Sequence, residues 1–282
     1  MMEILMLLEQ QSLLFWFVAF VFGLVVGSFL NVVILRMPPV LEYNWKKDFA
    51  EYNESEFSEE SPKGIAFSRS YCPQCKTQLK AWHNIPVLSY LFLRGKCAFC
   101  QSAISFRYPL IEVLTALLTL LLAVKFGPSI QFLAVCMMLW MLVVITMVDY
   151  DTYLIPDQLS LSLLWLGLFF SLFDFSINPS EAISGALIGY LVLWAVFHIF
   201  KFITKKEGMG YGDFKLLAAG GAWLGAEPLI LVLLVSSVSG LVFAVMQMAA
   251  GKSQKKIPFG PYLSIGIFVI YLYGDILKTW LF

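Results

Sequence analysis

The sequence predicts an all-α polytopic membrane protein, and three observations carry that expectation. Hydrophobic residues make up 60% of the 282 and charged residues 13%, against about 45–50% and about 25% in soluble domains. The apolar residues gather in long runs almost free of charge. Those runs lack the ten-residue alternation of outer-membrane barrel strands, so helices are the remaining way to cross. A soluble globular domain and a disordered chain are excluded. Nineteen basic residues balance nineteen acidic ones, so no global field recruits a polyanion, and nucleic acid is not an expected partner.

Eight transmembrane helices are expected, at 12–35, 110–126, 130–148, 158–173, 181–203, 213–226, 229–250 and 262–282. Ser12 to Leu35 is 24 residues without a charge, enough to cross a core that needs about 20. Residues 1–11 hold Glu3 and Glu9 and no Lys or Arg, unlike the basic start of a cleaved signal. Pro109, Pro128, Pro156, Pro179, Pro228 and Pro261 punctuate the later boundaries, as helix starts and stops should. The sixth span covers about 21 Å at about 1.5 Å per residue, short of the roughly 30 Å hydrocarbon core. Asp213, at its start, is therefore expected below the membrane surface. Sorting Lys and Arg by loop puts seventeen on the side of residues 36–108, 201–215 and 251–261, against two opposite. The positive-inside rule makes that side cytoplasmic.

Three parts follow: a first transmembrane helix (1–35), a cytosolic loop domain (36–108) and a seven-helix membrane core (109–282). Within the loop domain, residues 41–62 carry seven acids and two lysines and read as a solvated, mobile insert. Residues 63–108 carry seven basic residues and no acid, a composition that can sit against the headgroups of membrane lipids.

The basic half holds four of the five cysteines, as Cys72-Pro-Gln-Cys75 and Cys97-Ala-Phe-Cys100. Two such pairs suit one tetrahedral Zn²⁺, and four sulfurs leave no open position, so the metal would be structural. A cytoplasmic location disfavours disulfides; unmetallated thiols or a redox pair are the alternatives. His83 is surplus to a complete ligand set. Cys136, inside an apolar span, reads as a packed small hydrophobe.

Ionisable residues in spans default to functional hypotheses. Asp149, Asp151 and Asp157 cluster at the junction of the third and fourth spans, and Asp213 follows Gly210-Tyr211-Gly212. Asp149 and Asp213 close their spans on the same side and can meet there. Two aspartates sharing a proton can activate water and protonate an amide leaving group. No Ser-His-Asp set or H-E-x-x-H motif offers another route. A Gly-x-Gly before Asp is also an ordinary helix start with a capping carboxylate. Asp151 and Asp157 read as caps, Lys215 as a snorkelling lysine or a holder of a nearby anion, and His198 as a packing residue. Asp174, Glu181, Glu227 and Asp275 read as interfacial acids on the opposite side. Helix dipoles favour an anion on Asp213 and disfavour one on Asp149, so the shared proton is expected mainly on Asp149.

Longer motifs surround these residues: Gly27-Ser28-Phe29-Leu30-Asn31-Val32-Val33 with Arg36 and Pro38, Arg94-Gly95-Lys96-Cys97, Arg107-Tyr108-Pro109 with Glu112, Gly208 to Leu216, and Ile257-Pro258-Phe259-Gly260-Pro261-Tyr262. Together they resemble the type IV prepilin peptidases, bifunctional leader peptidases and N-methyltransferases among the G-x-G-D membrane aspartyl proteases. The resemblance implies a catalytic pair of Asp149 and Asp213, supported by Gly210, Gly212 and Lys215. It implies removal of a short basic leader after Gly from type IV prepilins and pseudopilins, at the cytoplasmic face of a bacterial inner membrane. It also implies methylation of the new N-terminal residue with S-adenosylmethionine as donor. No G-x-G-x-x-G marks a donor pocket; Arg94, Gly95, Lys96 and Glu112 are the candidates, although a Glu112 to Arg107 ion pair would explain Glu112 as well. Another kind of G-x-G-D intramembrane protease, a proton-coupled transporter using the two aspartates, and a non-enzymatic assembly factor are the competing readings.

Overall fold

A helix lies within each of the eight expected spans in the computed structural model, which describes the backbone of residues 2–65, 69–173, 177–251 and 257–281 and, within these, the side chains from Ser12 to Thr279. The helices are α1 (Met2–Tyr52), α2 (Leu88–Phe92), α3 (Arg107–Phe126), α4 (Ile130–Thr152), α5 (Asp157–Ser171), α6 (Pro179–Thr204), α7 (Tyr211–Leu224), α8 (Leu229–Ala249) and α9 (Gly260–Leu281). Short α2 lies in the loop domain, after a 3₁₀ turn at Ala81–Asn84. Among the described residues six helices, namely α1, α3, α4, α6, α8 and α9, are long and apolar enough to cross a membrane. Helices α5 and α7, with 15 and 14 residues, fall short of that length. Asp174, read above as an interfacial acid, and Lys252, Lys255 and Lys256, counted above in sorting the loops, lie outside the described residues.

The first helix runs past its expected end. The sequence places that end at residue 35, yet α1 continues through Pro38 and Pro39 to Tyr52. Residues 41–52, assigned above to a mobile insert, are thus helical. Good helix formers follow the prolines, and Lys46 pairs with Glu42 one turn away, at 3.1 Å. The following residues fold back on the same helix: Lys46 also reaches Glu59, at 3.3 Å, and Tyr43 packs edge-on against Phe57. Side-chain pairs across the turn, invisible to composition, organise the acidic stretch.

Two compact units divide the chain, Met1–Trp140 and Met141–Phe282, whereas the sequence suggested boundaries at 35 and 108. The reason is the pairing of α3 with α1. A Cβ on Gly23 would lie 2.7 Å from Ala116 Cα, and one on Gly27 would lie 2.8 Å from Glu112 Cα. Small residues allow this approach, so the second span belongs with the first. Trp140 donates to Thr119 Oγ1 (3.2 Å), adding the start of α4 to this unit. Buried Arg36 leaves the same helix to donate to the carbonyls of Gly64 and Arg69.

In the second unit α7 is the core. It packs against α5, α6, α8 and α9, and every residue from Asp213 to Leu224 except Lys215 is buried. A helix apolar on all sides suits full enclosure by protein, which is why α7 needs no membrane-spanning length. Gly185 of α6 and Gly221 of α7 meet backbone to backbone: a Cβ on either would collide with the other's carbonyl oxygen. Trp223 fixes α5 by donating to Leu163 O (2.9 Å).

Candidate functional site

Each cysteine pair sits in the same local turn. In the first, Cys72 N donates to Thr77 O and Lys76 N to Cys72 O; in the second, Cys97 N donates to Ser102 O and Gln101 N to Cys97 O. An antiparallel bridge closes each turn, Tyr71 with Gln78 and Lys96 with Ala103. Lys76 and Gln101, each directly after a second cysteine, both take φ of +57°. The turns bring Cys72, Cys75, Cys97 and Cys100 together with all four sulfurs within 4.8 Å of one another. The Cys72–Cys100 separation is 3.8 Å. A tetrahedron with about 2.3 Å Zn–S bonds has edges of about 3.8 Å, so the cluster has the donors and spacing to hold a metal ion. The backbone N–H of Cys75 holds the Cys72 thiol down to about 6. The Ser102 hydroxyl, 3.1 Å from Cys100 Sγ, holds that thiol below its ordinary value. His83 is outside the cluster, its ring edge-on to Trp82 and Phe99.

The two aspartates come from different elements of the second unit. Asp149 lies three residues before the end of α4, where Tyr153 turns left-handed (φ +57°) and its N–H bonds Asp149 O at 2.9 Å. Asp213 is the third residue of α7, and its carboxylate accepts from Gly210 N at 3.2 Å. Both residues are buried, at 5% and 7% exposure. The glycines beside them, Gly212 next to Asp213 and Gly260 against the Asp149 carboxylate, close on the same side chain, that of Ile155. The sequence places Asp149 at a helix C-terminus, where its dipole argument disfavours an anion. The structure adds a contact that argument omits: Asp149 Oδ2 accepts from Gly260 N, the first residue of α9, at 2.9 Å. Each carboxylate therefore sits on an N–H at a helix start, and the expected asymmetry between them is reduced.

Ile155 stands between the two helix starts. A Cβ on Gly212 would lie 2.8 Å from Ile155 Cβ, and one on Gly260 would lie 3.0 Å from Ile155 Cδ1. Gly210 has room: its Cβ would sit 3.7 Å from Asp213 Oδ2. Lys215 is occupied by Asp157 rather than by the aspartate pair, at 2.7 Å to both carboxylate oxygens. This pair ties the start of α5 to α7. His198 stacks on Trp194, with centroids 4.2 Å apart, and contacts that residue's carbonyl.

The candidate methylation residues lie at opposite ends of α2. Buried Glu112 accepts from Val87 N, just before α2, at 2.8 Å. That is a different contact from the Arg107 pair the sequence suggested. Arg94, Gly95 and Lys96 follow α2 and lead into the second knuckle. Gly95 has φ of +68°, and a Cβ there would lie 2.9 Å from Tyr90 Oη. Gly260 and Ile155 were not singled out from sequence for the aspartate site. The one available signal was the Pro258-Phe259-Gly260-Pro261 motif, which carried no assigned role.

Comparison with known proteins covers both units. Residues 21–126 match the bacterial peptidase A24 N-terminal domain, and residues 136–245 match the type IV leader peptidase family. A prepilin leader peptidase/N-methyltransferase of Aeromonas salmonicida is 46% identical over 276 residues, covering 95% of this chain and 94% of its own. The protein of that name from Pseudomonas aeruginosa is 44% identical over 287 residues, covering 99% and 98%. The one from Neisseria gonorrhoeae is 43% identical over 260 residues, covering 91% and 90%. No solved structure gives a significant match.

Proposed function

The chain belongs to the type IV leader peptidase family, and on that premise we propose that Asp149 and Asp213 are the catalytic pair of its peptidase reaction. The protein is a multi-pass membrane enzyme that removes the leader of prepilins and methylates the new N-terminus. The finer reading is a basic leader cut after Gly, on prepilins and pseudopilins, at the cytoplasmic face of a bacterial inner membrane. One observation carries the catalytic pair: two buried carboxylates, each held by a backbone N–H at a helix start, on segments that close on the same residue, Ile155.

That arrangement leaves oxygen lone pairs on both carboxylates for water and substrate. Two carboxylates so placed share one proton. The ionised member accepts a proton from a water as its oxygen attacks the scissile carbonyl. The protonated member donates to the carbonyl oxygen. Collapse of the tetrahedral adduct returns a proton to the departing amine. A substrate anchored by its own apolar helix presents its leader junction at the membrane interface, and an aspartate pair near helix ends suits that depth.

Cys72, Cys75, Cys97 and Cys100 hold a structural Zn²⁺ in this reading, ordering the loop domain without offering a catalytic coordination position. The basic face of that domain rests on anionic lipids. For methylation, S-adenosylmethionine supplies an electrophilic methyl group when bound. Glu112 is a buried carboxylate suited to an amine, and Arg94 and Lys96 are cations suited to a carboxylate. Gly95 shapes the turn between them and α2.

The test is a cleavage assay on purified protein in detergent. The substrate is a prepilin with a basic leader and a Gly-Phe junction, and product mass is read out. Asp149→Asn and Asp213→Asn run alongside, with labelled S-adenosylmethionine in parallel. Cleavage at Gly-Phe that both substitutions abolish supports the pair. A folded Asp213→Asn variant that cuts at the wild-type rate would remove Asp213 from the mechanism.

A further inference from the structure

We propose that Gly260 is a positioning residue for the peptidase reaction: its backbone N–H holds Asp149, and its missing side chain leaves the space that the Asp149 carboxylate occupies. The inference rests on the reading of Asp149 and Asp213 as the catalytic pair.

Asp149 stands three residues before the end of α4, and the contact on its carboxylate comes from another helix. The hydrogen bond from Gly260 N, at 2.9 Å, is buried and links residues 111 apart in sequence. Pro261 follows and has no N–H, and the amides of Tyr262 and Leu263 bond Phe259 O, so within this first turn the Gly260 amide is the donor left for the carboxylate. Pro258, two residues earlier, is buried. The two prolines restrict the backbone on both sides of the donor. This is the means by which a segment distant in sequence sets the orientation of the carboxylate.

Conformation does not explain the glycine. Gly260 begins an ordinary helix and is not among the glycines with positive φ. Space explains it. A Cβ would lie 2.6 Å from Asp149 Oδ2 and 3.1 Å from its Cγ. The nearest colliding atom belongs to the carboxylate itself, with Ile155 Cδ1 beside it at 3.0 Å, so alanine at this position presses on the group that the amide holds. The corresponding position on the other aspartate is different: at Gly210 a Cβ stands 3.7 Å from Asp213 Oδ2, an ordinary contact. The restriction falls on α9, outside the Gly-x-Gly-Asp segment.

The experiment uses full-length protein and two readouts on wild type, Gly260→Ala, Asp149→Ala and the double variant. On a prepilin substrate, Gly260→Ala is expected to lower kcat by ~100-fold with KM within a few-fold of wild type, since misplacing a reacting group by about 1 Å costs that order of rate. In thermal unfolding, Gly260→Ala is expected to lower Tm more in the Asp149 background than in the Asp149→Ala background, where the carboxylate is gone and only Ile155 Cδ1 stands in the way. The unfolding comparison stands even if the single variant is too unstable to assay. Equal Tm losses in both backgrounds, or a Gly260→Ala enzyme with wild-type kcat, would overturn the proposal. An active Asp149→Ala enzyme would instead overturn the catalytic pair and leave the Tm coupling intact, so the two failures are distinguishable.

Discussion

The four-cysteine cluster and the aspartate pair are built by opposite strategies. Every cysteine is positioned by its own turn: the hydrogen bonds that shape each knuckle close within ten residues, 70–79 and 95–104. The aspartates are positioned from afar. Asp149 depends on an amide 111 residues away, and Asp213 sits on a helix enclosed by four others. A site made of local turns announces itself by spacing. A site made of tertiary contacts leaves in the sequence only the residues that could not be anything else, such as a charge in an apolar span. The difference also bears on robustness. Local turns can re-form around a metal, whereas a distant amide is lost whenever either helix shifts.

The largest expected effect tests whether the two sites are separable. Asp149→Asn and Asp213→Asn should each lower cleavage by ~10⁴-fold or more, the order seen when one member of a catalytic group acting as a unit is removed. Zinc content, measured by elemental analysis on the same preparations, should stay at the wild-type value. Loss of zinc in Asp213→Asn would break the contrast and show that the cysteine cluster is not locally determined.

Next in size is packing around α7. Gly221→Ala places a methyl group against the Gly185 backbone, where no flexible side chain can yield. Overpacking of this kind costs about 1–3 kcal/mol, and the backbone contact argues for the upper end. Reduced Tm together with reduced cleavage is the expected result. Gly212→Ala meets Ile155 and should lose more activity than Gly210→Ala, which makes only an ordinary contact with Asp213 Oδ2. Equal losses would mean that the first glycine of the motif has a role its surroundings do not explain.

These contrasts follow how much each residue could reveal in sequence. The helices were legible from hydropathy, and their boundaries agree with the prolines because proline disrupts helix interiors wherever nothing compensates. The exception is α1, which passes Pro38 and Pro39 and ends only at Tyr52. Composition made residues 41–62 look mobile, but Lys46 with Glu42 and Glu59, and Tyr43 with Phe57, hold the stretch by pairwise contacts. The clustering of the four cysteines was legible from their spacing, because each pair closes its own short turn. Half of the aspartate site was legible. Asp149 and Asp213 stood out as charges, while Gly260 and Ile155 did not, because an uncharged residue in an apolar context gives no sign of what it touches. Lys215 looked available for the site, and its partner Asp157, 58 residues away, was visible only after folding.

A smaller effect concerns the protons of the metal site. Zinc binds thiolates, so loading the apo cluster releases a proton from each cysteine still protonated. The Cys72 thiol is held down to about 6 and that of Cys100 below its ordinary value. At pH 7 Cys72 is therefore mostly thiolate before the metal arrives. Titration of metal-free protein with Zn²⁺ in buffers of different ionisation enthalpy should report fewer than four protons released. Because Cys72 is depressed, its share of the release should grow as pH falls through about 6, and zinc affinity should fall over the same range. Release of four protons at pH 7 would mean that the knuckle amides do not stabilise the thiolate before binding.

The smallest effect uses the likeness of the two knuckles as an internal control. Lys76 and Gln101 occupy the same place in their turns and both take φ of +57°, a region that costs a residue with a Cβ roughly 1 kcal/mol. Glycine removes that cost but gives back part of it through a more flexible unfolded chain. Lys76→Gly and Gln101→Gly should each stabilise the loop by about 0.5 kcal/mol, and the two gains should add if the knuckles form independently. Hydrogen exchange at the Cys72 and Cys97 amides, which close the turns, is the local readout. A gain at one knuckle that also slows exchange at the other would show that the shared cluster couples them. In that case the site is local in its turns and cooperative in its assembly, and its contrast with the aspartate pair is one of degree.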